Sequence, residues 1–168
     1  AGRTVIYAAV DGKAAGILAI ADALRPTSKL MVEEMRKLGV QVAMLTGDNR
    51  ATAERIAGEL GIETVFAEVL PGQKADKVKE LQGQGKLVAM VGDGINDAPA
   101  LATADVGIAM GNGADVAVES AGIALLKPDL AGVLRARRLA EATMANIRQN
   151  LFFAFVYNAA GVPIAAGL

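Results

Sequence analysis

The sequence predicts an α/β domain with a doubly wound parallel sheet, and three observations support this prediction. Short apolar runs alternate with segments of helical spacing over residues 22–127. Glycines such as Gly39 and Gly61 follow the helical segments, where they can end a helix. The Val-rich run 87–91 leads into Gly92-Asp93-Gly94-Ile95-Asn96-Asp97, which is typical of a turn between a buried strand and a helix.

An antiparallel hairpin is expected before this domain. Residues 4–10 and 15–20 are β-rich runs, and Asp11-Gly12 between them is a dipeptide typical of tight hairpin turns. Residues 22–26 then break the pattern, which marks the predicted end of the hairpin.

Helices and strands alternate after the hairpin. Thr27 or Ser28 can cap the first helix, and Pro71 can open another, because its missing N–H would have no helical partner there. The predicted strands span residues 40–45, 65–67, 87–91, 106–110 and 123–126.

The C-terminal segment differs in kind from the rest. Asp129 can cap a last helix whose first half is rich in arginine, whereas the 18 residues 151–168 contain no Asp, Glu, Lys or Arg. That length is just sufficient to span a membrane, and a buried core helix is the alternative. The preceding arginines match the cytoplasmic flank of a membrane helix. We therefore expect a stalk and transmembrane helix over residues 129–168.

Composition excludes several classes of site and partner. The 168 residues carry a net charge of −1, so no basic surplus indicates nucleic acid as a partner. Cysteine and histidine are both absent, which excludes disulfides and any cysteine-based metal site within this chain. Because Ala1 is not a start methionine, we expect the chain to be a piece of a longer protein.

Two carboxylates after the central strand predict a magnesium site. Asp93 and Asp97 lie on a strand-to-helix turn, and ligands bind at the carboxyl ends of parallel strands. Mg2+ prefers oxygen ligands and keeps several waters together with substrate phosphate. An ordinary solvated turn is the alternative, because Asp-Gly and Asn-Asp are common turn dipeptides.

Two further loops would complete a site for phosphoryl transfer. Thr46-Gly47-Asp48-Asn49 follows a strand and begins a helix, so its hydroxyl and N–H groups can hold phosphate oxygens. Lys74 lies near the start of another helix, where its ammonium can neutralise a transferring phosphoryl group. Taken singly, these features also fit a helix cap and a solvated lysine. Their co-occurrence at one edge of the sheet favours a shared site.

These motifs resemble the phosphorylation domain of P-type cation-transporting ATPases, a branch of the haloacid dehalogenase superfamily. The resemblance covers the whole chain and implies Mg2+ as the cofactor and ATP as the substrate of the intact protein. It also implies a role for each residue of the three loops. Thr46 and Lys74 contact an aspartyl phosphate, Asp48 and Gly47 form the phosphate loop, Asp93 binds Mg2+, and Asn96 and Asp97 complete the metal and phosphate network.

The resemblance also divides the chain. It assigns residues 1–21 to the trailing hairpin of a nucleotide-binding region, 22–128 to an incomplete phosphorylation domain, and 129–168 to the stalk and membrane helix. The family's nucleophile lies in an Asp-Lys-Thr-Gly-Thr segment that does not occur here. Asp22 ends an apolar run but lacks the lysine and threonine after it, so we assign it to a hinge. The chain is expected to be inactive alone, with the missing N-terminal parts as its partners.

The transported ion is inferred from the C-terminal segment. Tyr157-Asn158 resembles copper-exporting members of the heavy-metal subgroup, which implies Cu+ bound near these side chains. Packing against neighbouring helices is the alternative for this uncharged polar pair. Because soft sulfur ligands select Cu(I), further ligands would have to come from outside this chain. Two other functions stay open, a soluble phosphatase of the same superfamily and a non-catalytic degenerate domain.

Overall fold

The computed structural model describes residues 4–20, 24–111, 118–127 and 129–167, which divide into two units, Ala1–Gly132 and Val133–Leu168. A long helix, α5 (Ala131–Ala165), begins at the end of the first unit and continues through the second. The other elements, all in the first unit, are β1 (Thr4–Val10), β2 (Lys13–Ile20), α1 (Pro26–Lys37), β3 (Ala43–Leu45), α2 (Arg50–Leu60), β4 (Thr64–Phe66), α3 (Pro71–Gly83), β5 (Ala89–Gly92), α4 (Ala98–Thr103), β6 (Val106–Met110) and β7 (Ile123–Leu125).

The predicted hairpin is confirmed, since β1 and β2 pair in antiparallel register. Its turn residues, Asp11 and Gly12, both have positive φ angles, 51° and 75°, as the tight hairpin turn requires. The register shifts between Ala8 and Ala9, so the pairing is irregular at that point. The predicted hinge residue Asp22 lies outside the described residues.

The parallel strands form two sheets, whereas the alternation predicts one doubly wound sheet. The resemblance places the missing nucleophile strand of that sheet between the strand ending at Leu45 and the strand ending at Val91. β3 pairs with β4, and β5, β6 and β7 pair in that order. Among the strands that the structure describes, no ladder joins β3 to β5. The two sheets still share apolar contacts, because Leu45 packs against the buried cluster of Val78, Met90, Ala100 and Leu101. The α/β class is therefore confirmed, whereas the continuous sheet is not.

The start of α1 differs from the prediction. The prediction that Thr27 or Ser28 caps the helix is wrong, because Arg25 is the N-cap residue. Pro26 is the first helical residue, and its ring already fixes φ at a helical value. The Thr27 hydroxyl instead donates a hydrogen bond to Asp129 Oδ1 at 3.3 Å. A helix start near Pro26 thus follows from proline and not from a hydroxyl cap.

The predicted membrane span is not confirmed. The last helix forms, with the Ala131 N–H donating to Asp129 Oδ1 at 3.1 Å as the predicted cap requires. Within the described residues, however, no helix combines the length and the hydropathy needed to cross a membrane. The reason is that α5 ends at Ala165, so only residues 151–165 of the charge-free run are helical. The helical turn before residue 151 contains Arg148, Gln149 and Asn150, which lower the mean hydropathy of a longer segment.

Candidate functional site

The central motif lies at the carboxyl end of β5, as the sequence predicts. β5 ends at Gly92, Asp93 follows, and a 3-10 turn over Ile95–Asp97 leads into α4. The Asp97 N–H donates to Gly94 O at 3.0 Å and closes this turn. The turn leaves Asp93 exposed and directs Asp97 into the interior.

A short ion pair connects α3 with this turn. Lys74 Nζ donates to Asp97 Oδ1 at 2.6 Å, and the two side chains are only 15% and 12% exposed. In the described part of the chain, Asp97 is the one charged residue that is classed as buried. A buried charge is tolerated when it is paired and hydrogen-bonded, so each of these groups fixes the other. The sequence motifs predict both residues in the site but not their contact.

The first turn of α3 explains how Lys74 reaches this position. Pro71 opens the helix, and Gln73 Oε1 accepts a hydrogen bond from the Leu70 N–H at 3.3 Å. Ala75 and Val78 on the same helix are buried, which anchors α3 in the core. Lys74 therefore extends from a rigid helix start, in agreement with the predicted role of Pro71.

Gly92 is required by the close approach of Asp97. A Cβ atom at position 92 would lie 2.7 Å from Asp97 Cβ and 2.8 Å from Asp97 Oδ2. Such distances are shorter than any normal contact between these atoms, so a side chain there would displace Asp97. The glycine thus protects the ion pair through its small size.

The loop after β3 is bonded mainly to itself and to β4. Thr46 Oγ1 donates to Asp48 Oδ2 at 2.9 Å and accepts from the Asp48 N–H at 3.1 Å. The Thr46 N–H donates to Phe66 O at 2.9 Å, next to the β3–β4 ladder. Asn49 caps α2, since its side chain accepts from the Thr52 N–H at 2.9 Å. Several groups predicted to hold phosphate are therefore already paired within the loop.

The loop between β4 and α3 braces this phosphate loop, and no sequence motif indicated it. The N–H groups of Glu68 and Val69 donate to Asp48 O at 2.9 Å and to Thr46 O at 3.1 Å. Glu68 Oε1 also accepts from the N–H of Arg50, the first residue of α2, at 3.4 Å. Glu68 has a φ angle of +59°, which is uncommon for a residue other than glycine.

The predicted site residues fall into two groups. Thr46, Gly47 and Asp48 form the predicted phosphate loop at the end of β3, whereas Lys74 and the Asp93–Asp97 turn form a second group at the end of β5. The loop that braces the first group leads directly into α3, which carries Lys74. Asn96 is exposed within the second group.

Tyr157 and Asn158 lie on α5 in the second unit. Tyr157 is 78% exposed. The Asn158 amide donates to Ala154 O at 2.9 Å, one helical turn earlier.

The second group offers carboxylate oxygens, which are the kind of ligand that Mg2+ prefers. Asp93 offers an exposed carboxylate at the strand end, while the Asp97 carboxylate is bonded to Lys74. Within the described ranges, no group of three or more acidic, histidine or cysteine side chains could enclose a metal ion. Mg2+ needs no such enclosure, because one or two carboxylates, substrate phosphate and water commonly complete its coordination.

A further carboxylate, Asp105, ties β5 to the helix that carries Lys74. It accepts from the Val88 N–H at 2.8 Å and from Gln82 Nε2 at 3.2 Å, and Gln82 also donates to Thr103 O at 3.1 Å. The bond from Val88, followed by that from Gln82, lowers the pKa of Asp105 below its usual range. The network fixes the start of β5 against α3 and α4, which hold the two ends of the Lys74–Asp97 pair.

Comparisons with known proteins indicate the family of the chain. Over its whole length the chain is 60% identical to a protein of Synechococcus elongatus described as a probable copper-transporting ATPase, of which it covers 22%. It is 58% identical, over 99% of its length, to a silver exporting P-type ATPase of Salmonella typhimurium, of which it covers 20%. A crystal structure of a zinc-transporting PIB-type ATPase in the E2.Pi state superposes on 89% of the chain with a TM-score of 0.81 and 47% identity, and the chain covers 24% of it.

These relatives confirm the resemblance to P-type ATPases that the motifs indicated, including its copper-transporting members. The chain spans less than a quarter of the length of each relative, 22% and 20% of the two sequences. Residues 1–105, more than half of the sequence, match the family described as haloacid dehalogenase-like hydrolase. The chain belongs to the haloacid dehalogenase-like hydrolase family.

Proposed function

We propose that the chain forms part of the phosphorylation domain of an ATP-driven heavy-metal transporter, with Cu+ as the transported ion. The Lys74–Asp97 pair near the exposed Asp93 supports this proposal most strongly. Phosphoryl transfer needs fixed positive charge and a ligand for Mg2+ at the same place. Relatives described as copper-transporting and silver exporting support a soft monovalent ion.

Each residue of the two groups has a defined part in this proposal. Asp97 holds the Lys74 ammonium in place, where it neutralises charge on the phosphoryl oxygens. Asp93 would hold Mg2+, which supplies further positive charge to the phosphate when bound. Thr46 and the adjacent Gly47-Asp48 backbone hold the phosphate from the β3 side, and Asn96 completes the network.

The attacking carboxylate is proposed to come from another part of the intact protein. The aspartate oxygen would form a bond to the terminal phosphorus of ATP as the bond to ADP breaks, which gives an aspartyl phosphate. Among the described strands no ladder joins β3 to β5, which supports a strand between them that carries this aspartate. The chain alone is therefore expected neither to hydrolyse ATP nor to form an acid-stable phosphoprotein.

Helix α5 is proposed to link the phosphorylation domain to the membrane part of the intact transporter. Phe152, Phe153 and Phe155 are 63%, 58% and 68% exposed, and such a run of exposed aromatic side chains supports a site that other protein or lipid covers. Tyr157 and Asn158 are proposed to lie near the path of the ion. Their oxygen and nitrogen atoms are not the sulfur ligands that Cu(I) prefers, so they would assist ligands from elsewhere.

The proposed function is tested by phosphorylation of the intact protein. Asp93→Ala should abolish labelling of the protein by radioactive ATP at ordinary Mg2+, because the developing charge on the phosphate loses its counter-ion. Asp76→Ala is the matched control, since Asp76 is an exposed carboxylate on α3 outside both groups. Near-normal labelling of Asp93→Ala would remove Asp93 from the site. Stimulation of labelling by Zn2+ and not by Cu+ would contradict the proposed ion.

A further inference from the structure

We propose that Glu68 is a positioning residue of the phosphate loop, and that its negative charge lowers the affinity of the site for phosphate. The inference rests on the proposed function, because it requires phosphate to bind beside Thr46 and Asp48. Glu68 belongs to none of the motifs discussed above. Three features of its surroundings support the proposal.

The first feature is the backbone of Glu68. Its N–H donates to Asp48 O at 2.9 Å, and the N–H of the next residue, Val69, donates to Thr46 O at 3.1 Å. Two consecutive N–H groups therefore hold the two ends of the phosphate loop. A change in this backbone would move Thr46 and Asp48 directly.

The second feature is the φ angle of +59° at Glu68. Residues other than glycine adopt this left-handed conformation rarely, and β-branched residues are strongly disfavoured in it. The two backbone bonds to the phosphate loop are the contacts that this conformation makes available. The strained backbone conformation of Glu68 therefore serves to position the phosphate loop.

The third feature is the carboxylate of Glu68 at the amino end of α2. Glu68 Oε1 accepts from the Arg50 N–H at 3.4 Å, where the positive end of a helix favours an anion. The Asn49 side chain, which accepts from the Thr52 N–H, is a neutral amide. Glu68, in contrast, places a full negative charge at this end of α2. Arg50 is two residues from Asp48, about 7 Å along the chain, which is within the screening length of about 10 Å. A phosphate ion in the loop would therefore be repelled by Glu68.

The backbone and the carboxylate can be separated by two substitutions of opposite expected effect. Glu68→Gln keeps an oxygen acceptor for the Arg50 N–H and removes the charge. Glu68→Val removes the charge as well, but it disfavours the positive φ angle and with it both bonds to the phosphate loop. Glu59→Gln is the control, because it removes an exposed carboxylate near the far end of α2.

The experiment measures labelling of the intact protein by radioactive inorganic phosphate with Mg2+, as a function of phosphate concentration. We expect Glu68→Gln to lower the half-saturating concentration by about 3- to 10-fold, as for the removal of one nearby unit charge. Glu68→Val should raise it and lower the thermal midpoint, while Glu59→Gln should leave it unchanged. A purely structural role for Glu68 would not tighten phosphate binding in any variant.

Two results would overturn the inference. Half-saturation of Glu68→Gln within twofold of the unsubstituted protein, or above it, would show that the charge does not act on the site. Unchanged binding and stability in Glu68→Val would show that the backbone does not position the loop. If the unsubstituted protein took up no label from either phosphate or ATP, the proposed function itself would fail and the inference with it. If ATP labels the protein but the half-saturating phosphate concentration is the same in every Glu68 variant, only the inference fails.

Discussion

The two groups of the candidate site are built in opposite ways. Around Lys74 and Asp97, the side chains are 15% and 12% exposed, and a Cβ atom on Gly92 would meet Asp97 at 2.7 Å. In the phosphate loop, Asp48 is exposed, and a Cβ atom on Gly47 would meet only Val69 O, at an ordinary 3.5 Å. One group is buried and closely packed, and the other is open.

This difference suggests a separate role for each group in the proposed phosphoryl transfer. A buried ion pair cannot rearrange without loss of stability, so in the proposed function the β5 side supplies fixed charge before phosphate binds. The open loop makes hydrogen bonds among its own groups, as between Thr46 and Asp48. In the proposed function these bonds are replaced at little cost by bonds to phosphate oxygens. The comparison predicts large effects of substitution on the β5 side and small ones in the phosphate loop.

The largest contrast is expected between the two glycines. Gly92→Ala should lower the free energy of unfolding by about 2–4 kcal/mol, because the new methyl group displaces Asp97 and breaks a buried pair. Gly47→Ala should cost less than about 1 kcal/mol. Denaturant unfolding of the intact protein's phosphorylation domain measures both. Equal losses would show that the two groups are equally rigid, contrary to the comparison.

An effect of similar size is expected from the ion pair itself. Lys74→Met should destabilise the domain by about 3 kcal/mol, because it leaves the Asp97 carboxylate buried without a cation. Lys77→Met on the same helix should cost less than about 1 kcal/mol, since its pair with Glu80 is more exposed. Adding Asp97→Asn to Lys74→Met should recover part of the loss. A double variant no more stable than Lys74→Met would argue against an unpaired charge as the cause.

The smallest effect concerns the support of the β5 side at Asp105. Hydrogen bonds from Val88 and Gln82 lower the pKa of Asp105 in the folded state. Stability from this group is therefore present above its unfolded pKa of about 3.9 and is lost as pH falls through the lower folded pKa. Asp105→Asn should lower the thermal midpoint at pH 7, and the difference from the unsubstituted chain should shrink below pH 4. A difference that grows in acid would contradict this sign.

The sequence predicted the parts of the molecule where local chemistry decides the structure. Asp11-Gly12 fixes the hairpin turn, Pro71 starts α3, and Gly61 ends α2 in the left-handed conformation, each for reasons of its own backbone. The P-type resemblance followed from loops of the same kind. All of these features can be inferred from a few neighbouring residues.

Features that depend on distant residues could not be predicted in this way. Lys74 and Asp97 were both predicted as site residues, but only the packing of α3 against the β5 turn shows that they bind each other. Glu68 carries no local signal, because its conformation is imposed by bonds to Thr46 and Asp48. Alternation predicts one doubly wound sheet but does not reveal which neighbouring strands pair. The gap between the strands ending at Leu45 and Val91 was expected only from the resemblance, which places the nucleophile strand there.

The β3–β4 sheet is separate from the β5–β6–β7 sheet. This separation supports the central proposal, that a strand with the nucleophile lies between the two sheets in the intact protein. Inserting one strand separates its neighbours by about 10 Å, and an unfilled gap of that size exposes two rows of unpaired backbone groups. The test compares the chain lacking residues 151–168 with the same chain joined to an added strand ending in Asp-Lys-Thr-Gly-Thr. Removing these residues also removes the exposed apolar end of α5 as a cause of association.

Sedimentation and thermal unfolding of these two proteins test the account most directly. We expect the chain with the added strand to be a monomer with a sharp transition, because the strand pairs with both β3 and β5. The chain without it should associate or unfold with poor cooperativity, because its inner edges stay open. A monomeric, sharply unfolding protein without the added strand would contradict the account, since it would show that the two sheets need no strand between them.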